Sequence, residues 1–257
     1  MEITYIIPTC GFGNLKETIS SILNQSIKPF EIILIQNGVK LENFENVRSI
    51  FLKKNFGYSK AINLGIINSR GRYLALINDD VFIPQNWAEV IIEEFKKEGK
   101  LGACSSFIKR EDGSIQVGSI EFNKYFEAIE VPYFKDGNLL NFTAVVLSKE
   151  AQEKVGLLDE DFFSYYEDVE FSLRLIKNGF KLKAVEGVFA IHKESSSSKI
   201  LKKEFYLFRN KHFTIIKNFG KKFYLKNFLK IFRGDLKILK KNPQFLFLYP
   251  LILLKFL

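Results

Sequence analysis

Two acidic passages in this chain have the residue types and spacing to do chemistry. The first is Asn78-Asp79-Asp80, directly after the apolar run Tyr73 to Ile77. Adjacent acids at a strand end cannot both enter a core. They could hold a hard cation such as Mg2+ or Mn2+ through one or two carboxylates, with a diphosphate supplying further oxygens. Asp and Asn are also common turn residues, so the pair alone does not decide the matter. The second passage is Phe162-Phe-Ser-Tyr-Tyr-Glu-Asp-Val-Glu170, where aromatic and acidic side chains crowd ahead of a helix. A general base needs an ionised carboxylate near an acceptor hydroxyl, and a helix start favours the ionised form. Aromatic rings beside it could stack on sugar faces. Ser164-x-x-Glu167 matches a capping box, which assigns Glu167 to the cap, leaves Asp168 as the expected base, and makes Glu170 a supporting or solvated acid.

Weaker signals accompany these two. His192 closes the apolar run Val188-Phe-Ala-Ile191, where a neutral imidazole could ligate a metal, although a lone strand-end histidine is more often a surface residue. Gly11-Phe-Gly13 is too short for a phosphate-binding P-loop and lacks its Lys-Ser/Thr.

These residues need elements to position them. Apolar runs predict strands over Ile3–Pro8, Phe30–Gln36, Val47–Leu52 and Arg72–Asn78. Helical spacing predicts helices over Asn14–Gln25, Ser59–Ser69 and Asn86–Lys97. Such alternation predicts an α/β fold with a mainly parallel, Rossmann-like sheet flanked by helices. Ligands of these sheets sit at the carboxyl ends of strands, which nominates Thr9, Gln36-Asn37, Asn55 and Asn78-Asp79-Asp80. Residues 113 to 147 read as short strands and turns extending the sheet in antiparallel fashion. A helix over Ser148–Val155, an acidic loop at Asp159-Glu160-Asp161, a helix over Asp168–Asn178 and strands over Lys181–Val185 and Val188–His192 complete this part.

The composition changes after Ser195-Ser-Ser-Ser198. Residues 199–257 carry fifteen basic and two acidic residues, while the first 198 carry 23 and 27, within a chain of net charge +9. A basic tail with Leu201, Phe205, Phe208, His212 and Ile215 at helical spacing suits a polyanion, either nucleic acid or an anionic membrane surface. The apolar run Phe245–Leu254 is about half the roughly 20 residues needed to span a bilayer, and Pro250 interrupts it. It could lie on a membrane surface or pack on the core. The opening Met1-Glu2-Ile3 shows no secretory pattern, and Cys10 and Cys104 lack metal or redox spacing, so a cytoplasmic, reduced chain is expected.

In their order, four passages resemble the family 2 glycosyltransferases of the GT-A fold, in particular the rhamnosyltransferase-like branch. They are Ile6-Ile-Pro-Thr9 with the following helix, Asn55-Phe-Gly-Tyr-Ser-Lys-Ala-Ile-Asn-Leu-Gly65, Gly71-Arg-Tyr-Leu-Ala-Leu-Ile-Asn-Asp-Asp80 ending in a DXD-type motif, and Gly156 to Arg174 with its Glu-Asp pair, followed by Gly179 and His192. The resemblance covers about residues 1 to 215. It implies that Pro8 and Thr9 line a nucleoside pocket with Gln36 and Asn37, and that Asn55, Gly57 and Lys60 lie near the nucleotide. It further implies a donor-side role for Asn78 and Asp79, a metal at Asp80 with His192 as a further metal or diphosphate contact, and Tyr165, Tyr166 and Glu167 on the acceptor side. Asp168 would be the base in a reaction that inverts the anomeric carbon. The implied partners are a nucleotide-diphosphate sugar and a glycan or lipid-linked acceptor, with a divalent cation (Mg2+ or Mn2+) as cofactor and the basic tail at the inner face of a membrane; nucleic acid is not expected.

The expected organisation is a catalytic domain over 1–198, divided near residue 110 into a nucleotide-sugar half and an acceptor half, then a basic, aromatic-rich helical extension over 199–257. Two departures from the family pattern bear on specificity. Gln36-Asn37-Gly38 stands where an acid usually reads the base, and Asn141-Phe142 stands where a small Ser-Gly or Thr-Gly is common. Two other readings compete: an α/β nucleotidyltransferase, which would also use paired acids and a cation, and a non-catalytic sugar- or nucleic-acid-binding module.

Overall fold

In the computed structural model, residues 2–193 and 200–256 are described. The composition boundary read at Ser195–Ser198 lies outside them. The order is β1 (Ile3–Thr9), α1 (Leu15–Leu23), β2 (Glu31–Asn37), β3 (Arg48–Leu52), α2 (Tyr58–Asn68), β4 (Tyr73–Ile77), β5 (Val81–Phe82) and α3 (Trp87–Lys97). Then follow β6 (Leu101–Lys109), β7 (Ile115–Val117), β8 (Ser119–Phe122), β9 (Ala128–Val131), β10 (Ala144–Ser148), α4 (Lys149–Val155), a 3-10 turn at Glu160–Phe162, α5 (Glu167–Lys177) and β11 (Lys181–His192). The last segment holds α6 (Ile200–Phe219), α7 (Lys221–Lys226), α8 (Phe228–Lys241), a 3-10 turn at Pro243–Phe247 and α9 (Leu248–Lys255).

The main sheet runs β3-β2-β1-β4-β10-β6-β11-β5, with β7 on β6. Strands β3, β2, β1 and β4 are mutually parallel, and β6 and β11 form a second parallel pair. Strand β10 enters antiparallel between the two blocks. The sheet is thus mainly parallel and α/β, as the alternation predicts. Because the chain steps from β1 outward to β3 and then returns to β4 on the other side, the carboxyl ends of β1 and β4 flank a topological switch point, the place where ligands of such sheets bind. Thr9 and Asp79 stand at those two ends.

Burial on both faces explains the near-continuous apolar strands. Ile3, Tyr5 and Ile7, Ile32 and Leu34, and Ala75 and Ile77 face one layer, where Ile19 and Ile22 of α1 and Ile91 and Ile92 of α3 pack. The alternate residues Ile6, Ile33, Ile35, Leu74 and Leu76 face the other, against Ala61, Ile62 and Ile66 of α2 and Phe171 and Leu175 of α5.

Two details differ from the sequence expectation. Residues 181–192 form one strand with a bulge at Glu186, Gly187 and Val188, because pairing to β6 stops at Val185 with Ser106 and resumes at Phe189 with the next residue, Phe107. Of the middle segment, β7 and β10 join the main sheet, while β8 and β9 form a separate two-stranded ribbon. That ribbon's Ile120 shares a third apolar cluster with Phe162, Tyr166 and Val169 around α5 and with Phe208, Phe213, Tyr224, Ile231 and Tyr249 of the C-terminal helices. Inside those helices, buried Asp235 accepts from Lys211 Nζ at 2.8 Å and from the Tyr249 hydroxyl at 2.6 Å. The basic segment therefore has a packed interior against α5 and the β8–β9 ribbon.

Candidate active site

The Thr9 hydroxyl donates to Asp79 Oδ2 at 2.5 Å and accepts from the Gly11 amide at 3.0 Å, tying β1 to the end of β4. Gly13 lies against the same acid: a β-carbon there would stand 2.4 Å from Asp79 Cγ. The Gly11-Phe-Gly13 loop, unpromising as a phosphate loop, thus has a packing role. Burial raises the Asp79 carboxyl above its ordinary range; the Thr9 hydrogen bond opposes that, the Asp80 charge adds to it, and the Gly13 amide opposes it. Pro8 is buried within β1, and Asn78 is held by its amide, which donates to Thr143 O at 3.1 Å.

Asp80 turns the other way. Its Oδ1 is 3.3 Å from His192 Nε2, and His192 Nδ1 is 3.0 Å from Gln116 Oε1. With Gln116 oxygen as acceptor, Nδ1 donates to it, and Nε2 is directed at the Asp80 carboxylate. A carboxylate and an imidazole, the latter oriented by an outer amide, are a fitting donor set for a divalent cation once the imidazole is deprotonated. Among the described residues no three His, Cys, Asp or Glu side chains gather at one such point. Among the described residues, Asp80 and His192 could ligate a cation here, with further oxygens from water and a diphosphate.

At the carboxyl end of β2, Asn37 Nδ2 donates to Asn55 Oδ1 at 3.2 Å and to Gly57 O at 3.0 Å, and its Oδ1 accepts from Phe56 N at 2.9 Å. Gln36 Oε1 accepts from Leu41 N at 3.1 Å. Both amides are buried and shape the loops around the β2 end. Lys60 pairs with Glu160 Oε2 at 2.8 Å, tying α2 to the acidic loop.

The acceptor side departs most from expectation. Helix α5 starts at Glu167, the preceding Tyr166 is left-handed (φ 70°, ψ −3°), and no side chain caps the helix. The capping-box reading of Ser164 and Glu167 is therefore corrected. The reason lies in the loop: Phe163 (φ 63°, ψ −58°) sits at the centre of a γ-turn closed by Ser164 N to Phe162 O at 2.7 Å, and Tyr165 and Tyr166 both have φ of 70°. Such conformations cost non-glycine residues on the order of 1–3 kcal/mol each and collect at functional sites. The turn buries Tyr166, whose hydroxyl accepts from Ala128 N at 3.1 Å, so this ring belongs to the core and cannot serve as an acceptor platform. Tyr165 stays half-exposed with Lys203 Nζ 5.7 Å from its ring, and Phe163 stacks on Tyr206 at 5.1 Å.

Freed from capping, Glu167 is buried, and its Oε2 has no hydrogen-bond partner among the described residues. Burial, then the Asp168 charge, pushes its carboxyl well above the usual range. Burial also raises Asp168, while the Val169 amide (2.8 Å from Oδ1) lowers it, Glu130 raises it and the Phe142 amide lowers it. Asp168 keeps part of its surface open, so solvent moderates its shift more than that of enclosed Glu167. Burial raises both adjacent carboxyls, and half-exposed Asp168 is the more readily ionised of the two.

Both ends of the site meet in one region. Asn78 is bonded to Thr143, its neighbour Phe142 donates to Asp168, and Glu130 is electrostatically coupled to Lys203, His192 and Arg110 as well as to Asp168. Tyr58 completes the wall: its hydroxyl donates to Phe142 O at 3.1 Å, and its pKa is raised by burial, then by Glu167 and Asp168. Sequence reasoning missed Tyr58, Gln116 and Glu130, which carry no motif of their own; Tyr58 alone had a signal, as the residue after Gly57.

The Glycosyl transferase family 2 model matches residues 4–154 of this chain. The chain belongs to that family. Its fold is that of GT-A glycosyltransferases: the crystal structure of GalNAc-T7 with UDP, GalNAc and Mn2+ superimposes with a TM-score of 0.65 at 15% identity, over 84% of this chain and 47% of that one. Staphylococcus aureus TarS superimposes at 0.60 with 13% identity, over 85% and 40%. Among curated proteins, the poly-beta-1,6-N-acetyl-D-glucosamine synthase of Staphylococcus aureus is 26% identical over 183 residues, 66% of this chain and 44% of the synthase. The chain spans less than half the length of that relative. Membership of the family 2 glycosyltransferases displaces the nucleotidyltransferase alternative.

Proposed function

We propose that this family 2 glycosyltransferase transfers a hexose, rhamnose being one candidate, from a nucleotide-diphosphate sugar to a hydroxyl of a glycan or lipid-linked acceptor. The observation that carries the reading is the pairing of Asp80 with His192 at 3.3 Å, linked to Asp168 through Glu130, which interacts with both His192 and Asp168. Pro8, Thr9, the Asn37–Asn55–Gly57 cluster and Lys60 form the nucleotide side, and Asn78 and Asp79 the donor-sugar side. Asp80 and His192 would hold the Mg2+ or Mn2+ ion, which when bound neutralises charge developing on the diphosphate. Asp168 takes the proton of the acceptor hydroxyl, and that oxygen forms its bond to the anomeric carbon as the carbon–oxygen bond to the diphosphate breaks. One displacement inverts the centre. Glu167, kept neutral by its enclosure, adds no second negative charge beside the base, and Tyr165 flanks the acceptor.

The C-terminal helices support peripheral attachment at the inner, anionic face of a membrane. Leu225, Leu229, Phe247, Leu251 and Leu254 are 59–76% exposed among basic residues. No helix among the described residues is long and apolar enough to cross a membrane. The test of the transfer reading is a thermal-shift panel of UDP-, dTDP- and GDP-sugars with and without Mn2+, followed by product analysis with the stabilising donor. Absence of stabilisation by every donor would leave a non-catalytic module as the better description.

A further inference from the structure

Every carbonyl of the strained loop ahead of α5 is gripped, and most of the grip comes from the C-terminal helix α6. Asn210 is fully buried, and its Nδ2 donates to Phe162 O at 2.9 Å, Ser164 O at 2.9 Å and Tyr165 O at 2.7 Å. An amide nitrogen has two hydrogens, so three acceptors share them in bifurcated fashion. Arg209 fixes the amide's orientation, with Nε donating to Asn210 Oδ1 at 2.9 Å, and its Nη2 donates to Asp161 O at 2.7 Å and Phe162 O at 3.0 Å. Phe163 O is the exception: Tyr58 N meets it at 2.5 Å. One α6 face thus seats the loop, since Tyr206 stacks on Phe163 and Phe213 packs edge-on against Phe162. The loop's last carbonyl, Tyr166 O, accepts from Glu170 N at 2.9 Å and opens the first turn of α5. Loop shape and the placement of Asp168 are therefore one geometric quantity.

We propose that Asn210, oriented by Arg209, is a positioning residue of the active site: its amide holds the loop 162–166, with Phe163, Tyr165 and Tyr166 at positive φ, in the shape that places Asp168 at the start of α5. This rests on the transferase reading for its effect on turnover, but not for its effect on the loop. Buried carbonyls with no donor are costly, and a loop of left-handed aromatic residues relaxes once its donors are removed.

The test compares the full chain with Asn210→Leu, close in size but without donors, and with Arg209→Met. The probes are whichever of UDP, dTDP and GDP binds most tightly with Mn2+, its sugar nucleotide with water as acceptor, and amide hydrogen exchange. In Asn210→Leu, kcat should fall about a hundredfold, the scale of a misplacement near 1 Å, with the donor KM within about twofold. Exchange at amides 164–168 should accelerate while the β1–β4 amides keep their protection. Arg209→Met should show the same pattern more weakly, and it stands in if Asn210→Leu does not fold. Unchanged kcat, unchanged exchange at 164–168, or parallel loss of kcat and diphosphate affinity would each overturn the proposal. A wild-type chain that binds diphosphate without turnover would instead sink the transferase reading, with exchange alone deciding whether Asn210 holds the loop.

Discussion

Gly57 lies directly beneath the carbonyl of Phe163, so close that a β-carbon on Gly57 would stand 2.3 Å from that oxygen. The contact joins the start of α2 to the loop ahead of α5, and the next amide, Tyr58 N, bonds the same oxygen. Gly57 also has φ of 91°, a value that side-chain-bearing residues rarely adopt. Gly57→Ala should therefore lower Tm by about 3–10 °C and reduce transfer, because the methyl group must displace the loop ahead of Asp168. Thermal denaturation beside a donor-turnover assay checks both, and an alanine variant with wild-type values would show that the two segments tolerate separation.

Asp168→Asn should leave nucleoside-diphosphate binding within about twofold and cut transfer by at least about a hundredfold, the scale of lost general-base catalysis. Calorimetry with the diphosphate and steady-state kinetics separate these effects. Normal turnover would remove Asp168 from the mechanism.

The acidic limb of the rate profile should lie near neutrality instead of near pH 4, because burial raises the Asp168 carboxyl and the base must be ionised. Glu130→Gln removes a negative charge that opposes this ionisation, so the limb should move to lower pH. The shift should be about half a unit or less, and smaller at high salt, since Glu130 is exposed. A shift in the opposite direction would contradict the electrostatics.

Stability should follow pH with a definite sign. Glu167 and Asp168 have folded-state pKa values above those of unfolded carboxyls, so the native state binds more protons between the two. Their contribution is most favourable below about pH 4 and declines as pH rises through the folded values. Glu167→Gln should flatten that decline, and its Tm should exceed that of the wild type most clearly above about pH 8. Melting curves across pH test this; parallel wild-type and variant curves would refute it.

Asp80→Ala or His192→Ala should weaken Mn2+-dependent diphosphate binding by at least about tenfold, and Gln116→Leu should weaken it by about 10–100-fold through loss of imidazole orientation. Binding measured with and without Mn2+ is the check, and cation-independent losses would place these residues elsewhere in the mechanism.

For the C-terminal surface, Leu229→Glu with Phe247→Glu should abolish sedimentation with anionic vesicles while leaving the fold intact, since both side chains are more than 70% exposed. Wild-type binding should fall as salt rises. Equal sedimentation by the variant would mean that this face does not touch lipid.

Local pattern determined much of this protein. Apolar runs ended by polar residues gave away β1, β2 and β4, and hence the strand-end positions of Thr9, Asn37 and Asp79, because strand burial and side-chain alternation are written residue by residue. The composition step before α6 marked the basic helices, and the order of motifs carried the family resemblance. Only the tertiary structure decided the rest. Ser164 and Glu167 had the letters of a cap, yet donors from Asn210 and Tyr58, 46 and 106 residues away from Ser164, bent the loop left-handed, freed Glu167 and buried Tyr166. A side chain's environment, and with it the difference in burial between Glu167 and Asp168, is set by which distant groups pack against it, and no spacing along the chain records that.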